Sequence, residues 1–246
     1  MDSRESDDYL YHFTKKYDSL INIMTEKFKP FYCIEDLSFI YVEENEVMAF
    51  PITCFCDIPY ERHSKHKSKY GSYGIGLTKE WAKKNNLSLV SYTYKESLAS
   101  ASLRILIKNY VLTKNVDVRN ALSILLMSCK PYDGYSFDKT GNITSNKTTR
   151  LYDEKEWRYI PLNVDDLYLS ISLSDYENQT EFLNKIKEEL PKIQQNNKLN
   201  FDVKDIKYIF LETENEKNKF ISDIRNAKIY SELELRDIEN MITVDK

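Results

Sequence analysis

The hydrophobic pattern changes period several times along the chain. Residues 9–13, "YLYHF", form a short β-like run. Tyr17, Leu20, Ile21, Met24 and Phe28 then recur at helical spacing, which predicts an amphipathic helix over 15–28 ended by Pro30. "PITCFCDI", between Pro51 and Pro59, is apolar and β-prone, and the polar piece "ERHSKHKSKY" after it reads as helix. "SYGIGL" reads as a strand. Thr78 is a suitable N-cap for the helix "KEWAKKNN", with Glu80 in its first turn, and "LSLVSYTY" returns to strand. Residues 95–130 read as two helices. The first is apolar nearly all round and so is expected at the centre, while Val118, Ala121, Leu122, Leu125 and Cys129 mark the buried stripe of the second.

Residues 131–150, "PYDGYSFDKTGNITSNKTTR", are polar, and a loop of that length inside a compact domain is commonly functional or mobile. "EKEWRYIPL" is a strand. The tail alternates a helix near 180–195, the strand "IKYIFLE", a helix near 215–228 and a charged last segment. No internal repeat or linker divides the chain, and no heptad or isolated apolar stripe announces an interface. The expectation is one α+β domain over residues 1–246, a mixed sheet flanked by helices, with a mobile loop at 131–150.

Composition narrows this picture. A chain of 246 residues with 41% hydrophobic and 13% aromatic content has ample material for a packed core. Its net charge of −4 gives no general attraction to nucleic acid or to an anionic membrane. No apolar run approaches a membrane span, and the start "MDSRESDDYLY" is acidic where a signal peptide would be basic. Cys33, Cys54, Cys56 and Cys129 are too few and too uneven for a disulfide framework. A cytoplasmic, reduced protein is the expectation.

The stretch "KYGSYGIGLTKEW" holds three of the five glycines in the chain, Gly71, Gly74 and Gly76. Their order reverses the dinucleotide-binding fingerprint, and no Gly-Lys-Ser/Thr follows, so a phosphate loop is not indicated. Gly74 and Gly76 share one strand face where another backbone or a ligand comes close. Either the bare strip is structural, or it is a pocket wall beside which Tyr70 or Tyr73 offers a ring for stacking.

Two other stretches carry chemistry. His12, flanked by apolar residues, is either a hydrogen-bonded core histidine or a site residue. In "DEKEWRYI", period-two alternation puts Glu154, Glu156 and Arg158 on one face. That face makes either an exposed ion-pair ladder or a site in which Arg158 holds Glu156 against a developing positive charge. Cys54, Cys56, His63 and His66 are residue types that zinc takes, but Cys-x-Cys is an unusual spacing and the histidines sit among lysines, so no metal is expected. The basic run "RHSKHKSK" reads as an exposed polar helix, or as a contact for a phosphate or an acidic partner.

"LYHFTKKYDSLINI", "CFCDIP", "YGSYGIGLTKEW" and "EKEWRYIP", in that order, resemble the AbiGi family of abortive phage-infection proteins. The likeness runs from about Tyr9 to Tyr230. It implies a phage-defence role beside a nucleotidyltransferase-like toxin, with this chain as antitoxin or companion. More distantly, the Tyr-His-x-Thr strand, the Gly/Tyr strand and the late glutamate are similar to the His–Tyr–Glu pattern of ADP-ribosyltransferases. That resemblance implies an ADP-ribosyltransferase-like fold with NAD as substrate and a macromolecular acceptor, or simple cleavage of NAD. It would make His12 the ribose holder, Thr14 its neighbouring hydroxyl and Tyr73 or Tyr70 the stacking ring beside Gly74. Glu156 would be the catalytic carboxylate steadied by Arg158, with Glu154 competing for the role. The alternative implied by the family label is a non-catalytic antitoxin or regulatory subunit that binds a partner toxin.

Overall fold

A computed structural model describes residues 8–40, 47–59, 62–138, 142–144, 147–161 and 171–244. In chain order the elements are β1 (Tyr9–Thr14), α1 (Tyr17–Glu26), β2 (Phe31–Asp36), β3 (Val47–Cys56), α2 (His63–Tyr70), β4 (Tyr73–Thr78) and α3 (Lys79–Lys84). There follow β5 (Ser88–Leu89), β6 (Ser91–Thr93), α4 (Leu98–Thr113), α5 (Val116–Met127), β7 (Cys129–Pro131), β8 (Asp133–Gly134), β9 (Thr149–Arg150) and β10 (Glu156–Tyr159). The last are β11 (Ile171–Ser172), α6 (Gln179–Asn196), β12 (Ile206–Leu211), α7 (Asn215–Asn226), α8 (Glu232–Asn240) and β13 (Ile242–Val244). The chain is mixed α and β, with a mixed sheet and helices. It groups into two compact units, each assembled from discontinuous segments: residues 1–29, 54–87 and 198–246 in the first, 30–53 and 88–197 in the second.

In the first unit the sheet order is β13, β12, β4, β1 and the end of β3, with β12 and β13 parallel and the other pairs antiparallel. Opposed residues of β1 and β4 share a face, so Leu10, His12 and Thr14 lie with Leu77, Ile75 and Tyr73. On this side α1 and α7 bury Leu20, Met24, Phe220 and Ile224. The opposite face carries Tyr11 and Phe13 of β1 beside Tyr208 and Phe210 of β12, with Gly74 and Gly76 between them. An added Cβ at Gly74 would lie 2.7 Å from the Phe13 ring, and one at Gly76 3.0 Å from the Tyr11 ring. The bare strip is therefore filled by the chain's own aromatic rings, not open as a pocket wall. Gly71 has a different reason to be glycine: its φ is +113°, and a Cβ there would meet the Thr14 carbonyl oxygen at 2.2 Å.

In the second unit β3 pairs antiparallel with β2, from Phe31 opposite Ile52 to Asp36 opposite Val47, and with β11. Helix α6 presses Phe182, Ile186 and Ile193 onto Tyr32, Ala49 and Ile171. Two short pairs, parallel β6–β7 and antiparallel β5–β10, frame the residues described below.

Several expectations shift. The first helix stops at Glu26, because Lys27 takes a φ of 70°, before Pro30 can end it. "LSLVSYTY" splits at Val90, whose N–H donates to the Glu156 carbonyl at 3.0 Å. Pro51 sits inside β3 opposite Tyr32 instead of bounding it. In α5 the buried residues are Leu122, Leu126 and Met127, while Leu125 is exposed, so the predicted stripe is rotated. Helix α4 is not central: Leu98 is 87% exposed and Ile105 68%. Within 131–150 the described residues include the β8–β9 pair and a bridge between Phe137 and Ile143. Residues 139–141 and 145–146 of that expected loop, and Tyr60 and Glu61 of the polar stretch, lie outside the described residues.

Candidate functional site

The chemistry-bearing residues of the second unit converge on Arg158. Strand alternation puts Glu156 and Arg158 on one face of β10, and both are buried, so the exposed ladder that the alternation also allowed is not what forms. Arg158 is 0% exposed. Its Nε donates to Glu156 Oε1 at 2.7 Å, its Nη2 to Glu35 Oε1 at 2.7 Å and to Glu156 Oε2 at 3.3 Å, and its Nη1 to the Met127 carbonyl at 2.7 Å. The planar fork of a guanidinium suits this many-sided role, which a lysine could not fill.

Glu154 reaches the cluster by a different route. It ends a 3-10 turn over Leu151–Glu154, and Lys155, with φ 43°, reverses the chain before β10 begins. As a result Glu154 Oε2 and Glu156 Oε2 both accept from Lys130 Nζ, at 2.8 and 2.9 Å. Tyr92 completes the frame: its hydroxyl oxygen accepts the Glu156 N–H at 2.9 Å. Burial, with Glu156 beside it, pushes the Tyr92 phenol well above its usual range. Burial also raises the pKa of the Cys129 thiol, against the opposing pull of Arg158. The carboxylates of Glu35, Glu154 and Glu156, all under a tenth exposed, are thus each paired with Arg158 or Lys130 within one unit. Such a network is costly to desolvate and stands only because its members are paired.

The first unit holds the other predicted residues. His12 Nδ1 lies 2.8 Å from the Cys54 carbonyl, and the imidazole packs edge-on to Phe28 and against Phe55. Thr14 is opposite Tyr73, which makes Tyr73 a diagonal neighbour of His12 on the same face. Tyr70 ends α2 on the other face, its ring 4.5 Å from His66 and against the Tyr11–Phe13 cluster. The register therefore groups His12 with Tyr73 and not with Tyr70. The Tyr73 hydroxyl is engaged by Glu216 at 2.7 Å and Glu212 at 3.1 Å, and its ring meets Tyr17 edge-on. Burial, aided by those two carboxylates, raises its pKa strongly. Gly74 lies on the opposite face, beneath Phe13.

His63 and His66 do not gather with Cys54 and Cys56. His63 Nε2 lies 2.9 Å from the Ile58 carbonyl, among Tyr11, Phe13 and Phe210. Among the described residues no group of three or more His, Cys, Asp or Glu is placed to hold a metal ion. Lys130 and Glu35 were missed from sequence. The acidic residue inside the apolar strand "FYCIED" was the available signal for Glu35; Lys130 had none, since its burial comes only with the fold.

These features define a mixed α/β protein whose polar centre is an internal ion-pair network. Residues 26–212 match the family described as "Putative abortive phage resistance protein AbiGi, antitoxin". The chain is also similar to an abortive phage resistance protein AbiGi of Lactococcus lactis subsp. cremoris, 31% identical over 225 residues that cover 82% of this chain and 88% of the relative. The chain belongs to the AbiGi family of abortive phage resistance proteins. No solved structure matches it. No helix among the described residues is long and apolar enough to cross a membrane.

Proposed function

We propose that this protein is a phage-defence antitoxin that works by binding a partner toxin, and that its buried carboxylates serve the fold rather than a reaction. One observation carries this reading. Both oxygens of Glu156 are taken up by Arg158 and Lys130 in a setting where the residue is only 6% exposed. A carboxylate that stabilises a developing cation must face the reacting atom, and this one faces two cations of its own chain. The word "antitoxin" in the family's description supports the same reading.

A second reading, an NAD-binding cleft of ADP-ribosyltransferase type that modifies a macromolecule, rests on His12, Thr14 and Tyr73 sharing one strand face. Against it stand the ring of Phe13 over Gly74 and the engaged Tyr73 hydroxyl.

Purified wild-type protein and Glu156→Gln are compared for nicotinamide release from NAD and for rescue of cells that express the toxin. The antitoxin reading expects no turnover by either protein and rescue by the wild type. Wild-type turnover that Glu156→Gln abolishes while the variant stays folded would establish the second reading instead.

A further inference from the structure

We propose that the aromatic sheet face beneath α2 is a binding surface for single-stranded nucleic acid, on which tyrosine rings stack against bases and lysines meet the phosphates. This goes beyond the antitoxin reading and does not depend on it.

One face of the first unit's sheet carries Tyr9, Tyr11 and Phe13 of β1 beside Tyr208 and Phe210 of β12. Helix α2 lies along β1 on this face. The His63 ring at its start is 4.3 Å from the Tyr11 ring, and Gly71 just past its end closes against Thr14. The middle of the face is sealed, so Tyr11, Phe13 and Phe210 are buried. Tyr9, Tyr208 and Tyr70 pack against that sealed cluster and keep part of their surface in solvent. Tyr9 and Tyr208 meet edge to face at one end, with ring centroids 5.7 Å apart, and Tyr70 closes α2 toward the other. The six residues of β1 that run between these ends span about 17 Å.

The charged groups set against these rings are lysines. The exposed Lys207 brings its ammonium to 5.8 Å from the Tyr9 ring centre and 6.0 Å from that of Tyr208. Those distances are at the outer limit of a cation–π contact, so the ammonium borders the two rings without covering them. Lys69 Nζ lies 4.9 Å from the Tyr70 ring, and the buried Lys67 Nζ lies 4.5 Å from that of Phe210. Of the acidic residues that adjoin these rings in sequence, Asp57 is paired with Lys79 at 2.8 Å, and Asp8 stands exposed before Tyr9. Two tyrosines at right angles would by themselves suit a cation or a flat ring. The lysine at their margin repels a cation, and so selects a flat ring that carries negative charge. A nucleobase with its phosphate has both properties, and stacking of bases on aromatic side chains inside a basic track is how single strands are held. The chain's net charge of −4 gives no general attraction to nucleic acid, so the attraction is confined to this face and is sensitive to salt.

The test is fluorescence anisotropy of labelled oligouridylate and oligothymidylate with the whole chain, over a range of salt, beside a duplex of equal length. Thermal melts accompany every variant. The proposal expects the wild type to prefer the single strands and to lose affinity as salt rises. Lys69→Gln/Lys207→Gln should weaken binding and flatten the salt dependence, and Asp8→Asn should strengthen binding. Tyr9→Leu/Tyr208→Leu should bind about 10-fold more weakly or worse with the salt dependence kept, while Tyr9→Phe/Tyr208→Phe, which keeps the rings, should bind as the wild type does. No binding by the wild type, equal affinity for the duplex, or full-strength binding by a folded Tyr9→Leu/Tyr208→Leu would each overturn the proposal. The exposed Lys207 keeps the test decisive if the leucine variant fails to fold, since an unaltered affinity in Lys207→Glu would also overturn it. Displacement of the oligonucleotide by polyglutamate, charge for charge, would overturn it too and assign the face to an acidic protein.

Discussion

Arg158→Met isolates what the buried network contributes. Methionine keeps much of the arginine's length and apolar volume, so the change is chiefly one of charge and donors. It strips Glu156 and Glu35 of their shared cation and leaves the Met127 carbonyl without its 2.7 Å donor. Lys130 still serves Glu154 and Glu156, while Glu35 loses its 2.7 Å partner. Removing one partner of a buried ion pair costs about 3–5 kcal/mol, because the remaining charge stays desolvated. By contrast, the exposed Arg225–Glu232 pair is worth about 0–1 kcal/mol. Against a total stability of about 5–15 kcal/mol, the loss at Arg158 is large. Urea unfolding followed by fluorescence suits the measurement, since Trp157 lies in the second unit and Trp81 in the first. In a Trp81→Phe background the Trp157 signal should show the midpoint falling sharply for Arg158→Met. Adding Glu35→Gln and Glu156→Gln should restore part of the loss by removing the stranded charges. An unchanged midpoint for Arg158→Met would refute the view that this network holds the second unit together.

Other predictions follow from the same geometry. Gly74→Ala should cost about 1–3 kcal/mol, since its Cβ would press on the Phe13 ring and on the His12 carbonyl 2.9 Å away; unaltered stability would reopen that face as a pocket wall. Gly71→Ala should cost more than Gly74→Ala, because its φ of +113° and the 2.2 Å approach to Thr14 both oppose a side chain. Tyr17, Tyr32, Tyr73 and Tyr92 all have pKa values raised by burial above the ordinary 10.0. The folded state thus holds these protons more tightly than the unfolded chain, so stability is full below pH 10.0 and falls as pH rises beyond it. Unfolding midpoints across that range would show the fall, and a flat profile would contradict it. A thiol reagent should modify the half-buried Cys33 and Cys54 before the buried Cys129, as mass spectrometry of partly labelled protein would report.

How much was legible in the sequence depended on whether the decisive contact was local. Strands β1, β4, β10 and β12 announced themselves by period, and Thr78 caps α3 as its position suggested, accepting the Trp81 N–H. Glu156 and Arg158 shared a face as alternation required, since a strand leaves no other arrangement. What alternation cannot supply is what covers that face. Lys130 and Glu35 come from strands distant in sequence, so the cluster's burial was invisible, and an exposed ladder fitted the pattern equally well. The glycine strip failed for the same reason: its neighbours Tyr11, Phe13, Tyr208 and Phe210 belong to two other strands, and only the register aims their rings at it. Helix α4 misled in the opposite direction. Apolar residues all round a helix ordinarily mean a buried helix, and here they mark one face packed and one left to solvent.

The central claim, that the chain acts by holding a partner toxin, is tested most directly by weighing the mixture. Purified protein and toxin are combined and passed through size exclusion with light scattering. The account predicts one species whose mass is the sum of the two chains, with the toxin's activity suppressed in that fraction. Two separate species, together with NAD consumption by this protein alone, would contradict it.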